Sequence, residues 1–159
     1  MQDPTQDSAF IVAKPVIQKH FYYALMDNPK KSTIIMNAEI LKFMNIKELQ
    51  PGLIQYIDNI ISDVLKHTPT FFIHIDLSTF KNKLVSRNVI KVIKILIKLF
   101  QDKYPDTLIQ CTISNTPRVF RYLFKIIYYF LDNVTRKKIV IISKNNELLK
   151  TGNFADSTE

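Results

Sequence analysis

The chain has 159 residues, 47% of them hydrophobic, with a mean hydropathy near zero and a net charge of +8. This describes one globular domain with a single sizeable core, and no apolar run nears the ~18–20 residues that a membrane-spanning helix needs. Gly52 and Gly152 are the two glycines, too few for a phosphate-cradling loop, and one cysteine excludes an internal disulfide. Met1–Ser8 is polar with two aspartates, unlike a signal peptide, so a cytoplasmic protein is expected. The lysine excess favours an anionic partner: nucleic acid, an acidic protein or an anionic membrane surface.

Residues 1–9 and 151–159 read as disordered from their polar composition, leaving 10–150 as the domain. Lys19–Met26 and Ser32–Ala38 are predicted strands around the turn Asp27–Lys30. Pro51–His67 is a predicted helix, opened by Pro51 and carrying Leu53, Ile57, Ile60, Ile61 and Val64 on one face. Thr70–Leu77 is a strand rich in aromatic and β-branched residues. Ser86–Asp102 is an amphipathic helix, with Val89, Val92, Ile93, Leu96, Leu99 and Phe100 opposite Lys91, Lys94 and Lys98. Leu108–Ser114 is a strand. Thr116 and Pro117 are placed to cap and open a helix through Leu131, Lys138–Ser143 is a further strand, and Asn146–Lys150 a short final helix. Strands alternating with helices make an α/β fold with a mainly parallel sheet covered by helices.

Little here suggests catalysis or a metal. His20, His67 and His74 share no ligand spacing with Cys111 or the carboxylates. His67 suits a helix C-terminus, His74 a hydrogen-bonded place in a sheet, and Cys111 a small buried hydrophobe. Asp76 ends a strand with no nucleophile, glycine turn or metal partner near it in sequence. The lysines of Ser86–Asp102 lie where any solvated helix face carries them, so nucleic acid is a weak reading of the charge. Pro117–Leu131 stands apart, because apolar and aromatic residues wrap nearly its whole circumference beside the basic strip Arg118, Arg121 and Lys125. Such a helix is either fully buried or meets something greasy on its second side.

Three stretches carry a family resemblance: Tyr104-Pro-Asp-Thr-Leu, Ile113-Ser-Asn-Thr-Pro117, and Phe130-Leu-Asp-Asn-Val-Thr-Arg-Lys-Lys-Ile-Val. In order and spacing they resemble the YPERL, INAP and FLDPVTxxKI segments of CRAL-TRIO (Sec-fourteen-like) lipid-binding domains, here in a single-domain form. The resemblance implies a sheet that floors an apolar lipid pocket and a gate helix over it, with Pro117–Leu131 falling on the gate. It implies gate and membrane contacts at Arg118, Phe120, Arg121, Phe124, Lys125, Tyr128 and Tyr129, and inositol headgroup ligands at Asp106, Thr135 and Lys138. Asp106 stands one methylene short of the usual glutamate, and Asn133 replaces a proline. Phe71 and Ile73 occupy positions where phosphatidylcholine-binding members carry a Ser/Thr pair. The implied function is non-enzymatic binding and transfer of phosphatidylinositol, without a cofactor or metal, by a cytoplasmic protein that visits anionic membranes. The alternatives are a lipid-dependent membrane adaptor that recruits a protein partner of unknown kind, and a basic nucleic-acid-binding accessory protein.

Overall fold

The computed structural model describes residues 4–25, 32–81, 83, 85–145 and 148–149; the expected turn Asp27–Lys30 and residues 151–159 lie outside the described residues. β1 (Phe21–Leu25) pairs antiparallel with β2 (Ser32–Asn37). β2, β3 (Phe71–Asp76), β4 (Leu108–Thr116) and β5 (Ile139–Ser143) then run parallel, in chain order. β6 (Leu148–Leu149) closes the far edge antiparallel to β5, where Asn146–Lys150 reads as a helix from sequence. The unpaired N–H and C=O groups of an edge strand readily take up such a returning segment.

α1 (Pro4–Ile17) begins inside residues 1–9, whose composition alone reads as disordered. Further along that helix, Ile17 is fully buried, and Phe10 packs against Tyr56 with ring centroids 6.1 Å apart. The close approach needs Gly52, because a methyl group there would run into the Phe10 ring. α2 (Ile40–Met44), a short 3-10 turn and α3 (Gln50–His67) follow, with proline in the first turn of α3 as expected. α4 (Arg87–Lys103) is capped by Ser86, whose Oγ accepts the Val89 N–H at 3.2 Å.

Crossovers between parallel strands that follow chain order stack on one face when all share a hand, and burial shows the result. Phe71, Ile73, Cys111, Ile113 and Ile141 are buried with Leu53, Ile57, Ile61 and Val64 of α3 and Val89, Val92 and Leu96 of α4. The alternate residues Phe72, His74, Thr112, Ser114, Val140 and Ile142 are only half-buried. Among the described residues the core therefore lies on one side of the sheet, a narrower cover than the helices on both faces that parallel sheets usually carry.

Candidate functional site: an apolar cavity under a short helix

The helix expected over Pro117–Leu131 is shorter, as α5 (Phe120–Tyr128). Thr116 does not cap it. That residue ends β4, buried, its Oγ1 donating to the Ile113 carbonyl at 3.2 Å. The β4–β5 register slips between Ile113 and Thr116, and Asn115 takes φ 54°, so the strand twists out of line before Pro117. The chain then winds up through i→i+3 bonds from Phe120, Arg121 and Tyr122 to the carbonyls of Pro117, Arg118 and Val119.

α5 lies over a cavity of about 200 Å³. Ile73, Ile75, Cys111 and Ile113 form its floor, Ile93, Leu96 and Phe100 of α4 one wall, and Phe120, Leu123, Phe124 and Ile127 its roof. It extends from Leu108 and Ile139, where β4 and β5 start, to Asn37, Ala38 and Leu77 at the far ends of β2 and β3. The wall is apolar apart from Asn37 and Thr135. Cys111 is buried, and burial pushes its thiol up to about 12, which makes it the inert hydrophobe expected.

α5 does have two sides. Phe120 and Phe124 point inward as roof residues, so in this conformation they face the cavity and no membrane. Tyr122, Ile126, Tyr129 and Phe130 are exposed at i, i+4, i+7 and i+8, a single outward stripe. Arg118 and Arg121 are exposed beside it, and Lys125 lies 5.9 Å from the Tyr122 ring centroid. Tyr128 is half-buried between Phe124 and Arg136, a correction to its expected place on the outer surface.

Thr135 lies in α6 (Asn133–Lys137), an element whose sequence pattern is too short to reveal it, and Lys138 is its C-cap. Asp132 caps it, accepting the Thr135 N–H at 2.6 Å, and this bond above all lowers the Asp132 pKa. Lys138 is fixed through its backbone: its N–H donates to the Thr135 carbonyl and its carbonyl accepts from Cys111 N–H at 2.8 Å. Asp106 lies in the turn between α4 and β4, exposed, with φ 61°. All three residues thus sit at the starting end of β4 and β5, with Thr135 on the cavity wall.

Tyr104 of the first motif serves the scaffold. Its hydroxyl bonds the Asp58 carboxylate and lies 2.6 Å from Ser62 Oγ, tying the end of α4 to α3. Burial raises the Asp58 pKa, and the Lys103 and Tyr104 bonds more than offset this, leaving it lowered. His74 Nε2 lies 2.8 Å from Ser114 Oγ, a hydrogen-bonded sheet histidine as expected. Among the described residues no three His, Cys, Asp or Glu side chains group as a metal site, and no helix is long and apolar enough to cross a membrane. The lysine face of α4 is partly spent within the fold: Lys94 sits 4.1 Å from the Phe130 ring centroid and Lys98 pairs with Asp102 at 3.0 Å. That weakens a nucleic-acid reading.

Comparison with known proteins agrees with this geometry. Over 58 residues the chain is 36% identical to a protein named phosphatidylinositol transfer protein SFH5 of Kluyveromyces lactis, covering 36% of this chain and 20% of that one. Over 64 residues it is 33% identical to the protein of the same name from Vanderwaltozyma polyspora, covering 40% of this chain and 21% of that one. A solved structure titled crystal structure of Sfh5 superposes with a TM-score of 0.67 at 20% identity, covering 79% of this chain and 48% of that chain. The chain thus spans about a fifth of the length of these curated relatives and under half of the solved chain. The CRAL/TRIO domain model matches residues 18–155, nearly the whole described fold, and the chain belongs to that family.

Proposed function

We propose that the chain binds phosphatidylinositol in the cavity beneath α5 and carries it between membranes, without catalysing a reaction on it. The observation that carries this reading is the cavity itself: apolar along the strands, with Thr135 on its wall and Lys138 three residues on in the same turn of chain. An apolar interior suits acyl chains. A hydroxyl and an ammonium donate to a phosphodiester, and Asp106 at the same end of the sheet supplies an acceptor for inositol hydroxyls. The SFH5 relatives, named as phosphatidylinositol transfer proteins, support the same ligand.

At about 200 Å³ the cavity is smaller than the ~300–1,000 Å³ that drug-sized ligands occupy. A two-chain lipid therefore enters only when the roof moves outward, and α5 is the gate. Its outward stripe of Tyr122, Ile126, Tyr129 and Phe130, with Arg118, Arg121 and Lys125, meets an anionic bilayer while the inner side faces acyl chains. Phe71 and Ile73 are buried and apolar where a choline phosphate would need partners, and leaving that group unpaired costs several kcal/mol. The protein then works in the cytoplasm, at membrane surfaces only transiently.

The test is transfer of labelled lipids between vesicles, with native mass spectrometry of the purified protein for co-purified lipid. Phosphatidylinositol moves and phosphatidylcholine does not, and Lys138→Ala abolishes the former with the fold intact. Equal transfer of both lipids, or none of either, overturns the reading.

A further inference from the structure

Arg136 lies in the third motif stretch, between Thr135 and Lys138, where the resemblance gives it no ligand role, yet it makes specific contacts at the end of α5. From α6 it reaches back over eight residues. Its guanidinium carbon lies 4.2 Å from the Tyr128 ring centroid, its Nε donates to the Tyr128 carbonyl at 3.1 Å, and its Nη1 donates to Asn133 Oδ1 at 3.3 Å. A planar guanidinium can stack and donate at once, as an ammonium cannot. Tyr128 packs on Phe124, ring centroids 6.1 Å apart, and Phe124 roofs the cavity. Arg136 is therefore two contacts from the void. Elsewhere α5 rests on apolar and aromatic side chains over the cavity, among them Phe120 edge-on to Phe80 with ring centroids 6.2 Å apart.

We propose that Arg136 is the latch of α5: a positioning residue whose hold on Tyr128 keeps the roof seated and sets how often the cavity opens. The proposal rests on the reading of α5 as a gate and adds what restrains it. Thr135, on the cavity wall, is the neighbouring residue of the same five-residue helix. Whatever fills the cavity at that wall thus touches the element that carries the latch.

The chain carries its own reporter. Cys111 is the single cysteine, lies on the cavity floor and is buried beneath the roof. Its alkylation by iodoacetamide, with no lipid present, measures opening. We expect Arg136→Ala to speed labelling about tenfold, equivalent to ~1.4 kcal/mol, with Arg136→Lys intermediate because it keeps the charge and loses the fork. Tyr128→Leu, which keeps apolar packing and removes the ring, should move labelling the same way and serves if the alanine variant does not fold. Labelling through local opening depends weakly on urea, whereas labelling through global unfolding carries the full slope. Faster labelling of folded Arg136→Ala at a weak urea dependence upholds the latch. An unchanged rate, or an acceleration that carries the full slope, overturns it. If the unsubstituted chain itself labels only through global unfolding, α5 is no gate; if it labels by local opening and Arg136→Ala does not alter the rate, the gate stands and the latch falls.

Discussion

Serine at both Ile126 and Tyr129 strips the middle of the outward stripe on α5 and leaves the cavity roof untouched. Tyr129 is 74% exposed and Ile126 43% exposed. A tyrosine covers ~150–250 Å² when fully buried, so the exposed share of this ring, at ~25 cal/mol per Å², is worth roughly 3–4 kcal/mol on full immersion. A ring lying in the headgroup region realises about half of that. Ile126 adds ~1 kcal/mol, its exposed fraction of the ~1.5–3 kcal/mol for a whole aliphatic side chain. The sum, ~3 kcal/mol, is about a hundredfold in affinity. Co-sedimentation with anionic vesicles measures it directly, and the residual binding should fall further with salt, since Arg118, Arg121 and Lys125 contribute about 1 kcal/mol each near an anionic leaflet. Val12→Ser on α1, the most exposed of the described large apolar side chains, is the control. If the double substitution bound vesicles and transferred lipid like the unsubstituted chain, or if Val12→Ser weakened binding equally, α5 would not be the docking element.

Other substitutions probe the scaffold and the headgroup end. Tyr104→Phe removes the hydroxyl from Asp58 and Ser62 and should destabilise the fold by ~1–2 kcal/mol, because bonds to a charged acceptor are worth more than neutral ones; the urea midpoint reads this, and Asp58→Asn should shrink the effect. Thr135→Val keeps the shape of the cavity wall and loses one donor, so phosphatidylinositol transfer should fall several-fold while thermal stability holds. Asp132→Ala uncaps α6 at ~1 kcal/mol, read from the same urea midpoint. Asp58, Asp76 and Asp132 all titrate below their ordinary values in the fold. Their contribution is complete above the unfolded carboxyl value of ~3.9 and is lost as pH falls through the lower folded values. Stability should therefore be level down to about pH 5 and decline below about pH 4, with a shallower decline in Asp58→Asn.

The long elements were readable because each has its own periodicity: the α3 stripe of Leu53, Ile57, Ile61 and Val64, the α4 stripe of Val89, Val92 and Leu96, and the apolar strands between them. What escaped depends on partners distant in sequence. Polar residues open α1, and the Gly52 notch that receives Phe10 is invisible until the two helices meet. α6 is five residues long, too short for any helical period, and rests on the Asp132 cap. Leu148 and Leu149 carry no strand signal without the edge of β5 beside them. The proposed headgroup residues Asp106, Thr135 and Lys138 could be named only through the family resemblance, and their shared end of the sheet follows from parallel pairing of β4 and β5. Tyr128 looked like surface because its face depends on Arg136, eight residues away. A Tyr–Arg pair at that spacing has no meaning on a continuous helix. It acquires one only after the chain turns back through α6.

Antiparallel β1 and β6 close the two edges of the sheet, so the four parallel strands under the cavity are all interior. Strands β2 to β5 therefore have a hydrogen-bonding neighbour on each side, independently of what lies above. Raising α5 breaks side-chain contacts and solvates the roof, but it severs none of the ladder bonds beneath. On the proposed opening of α5, the floor would keep its dimensions while the cover changes height, and a guest's size would be met by the cover alone. Amide exchange should show this division directly. The backbone of Cys111–Ile113 should stay as slow as global unfolding permits with the cavity empty or filled, while the amides of Leu123–Tyr128 quicken whenever the cover lifts.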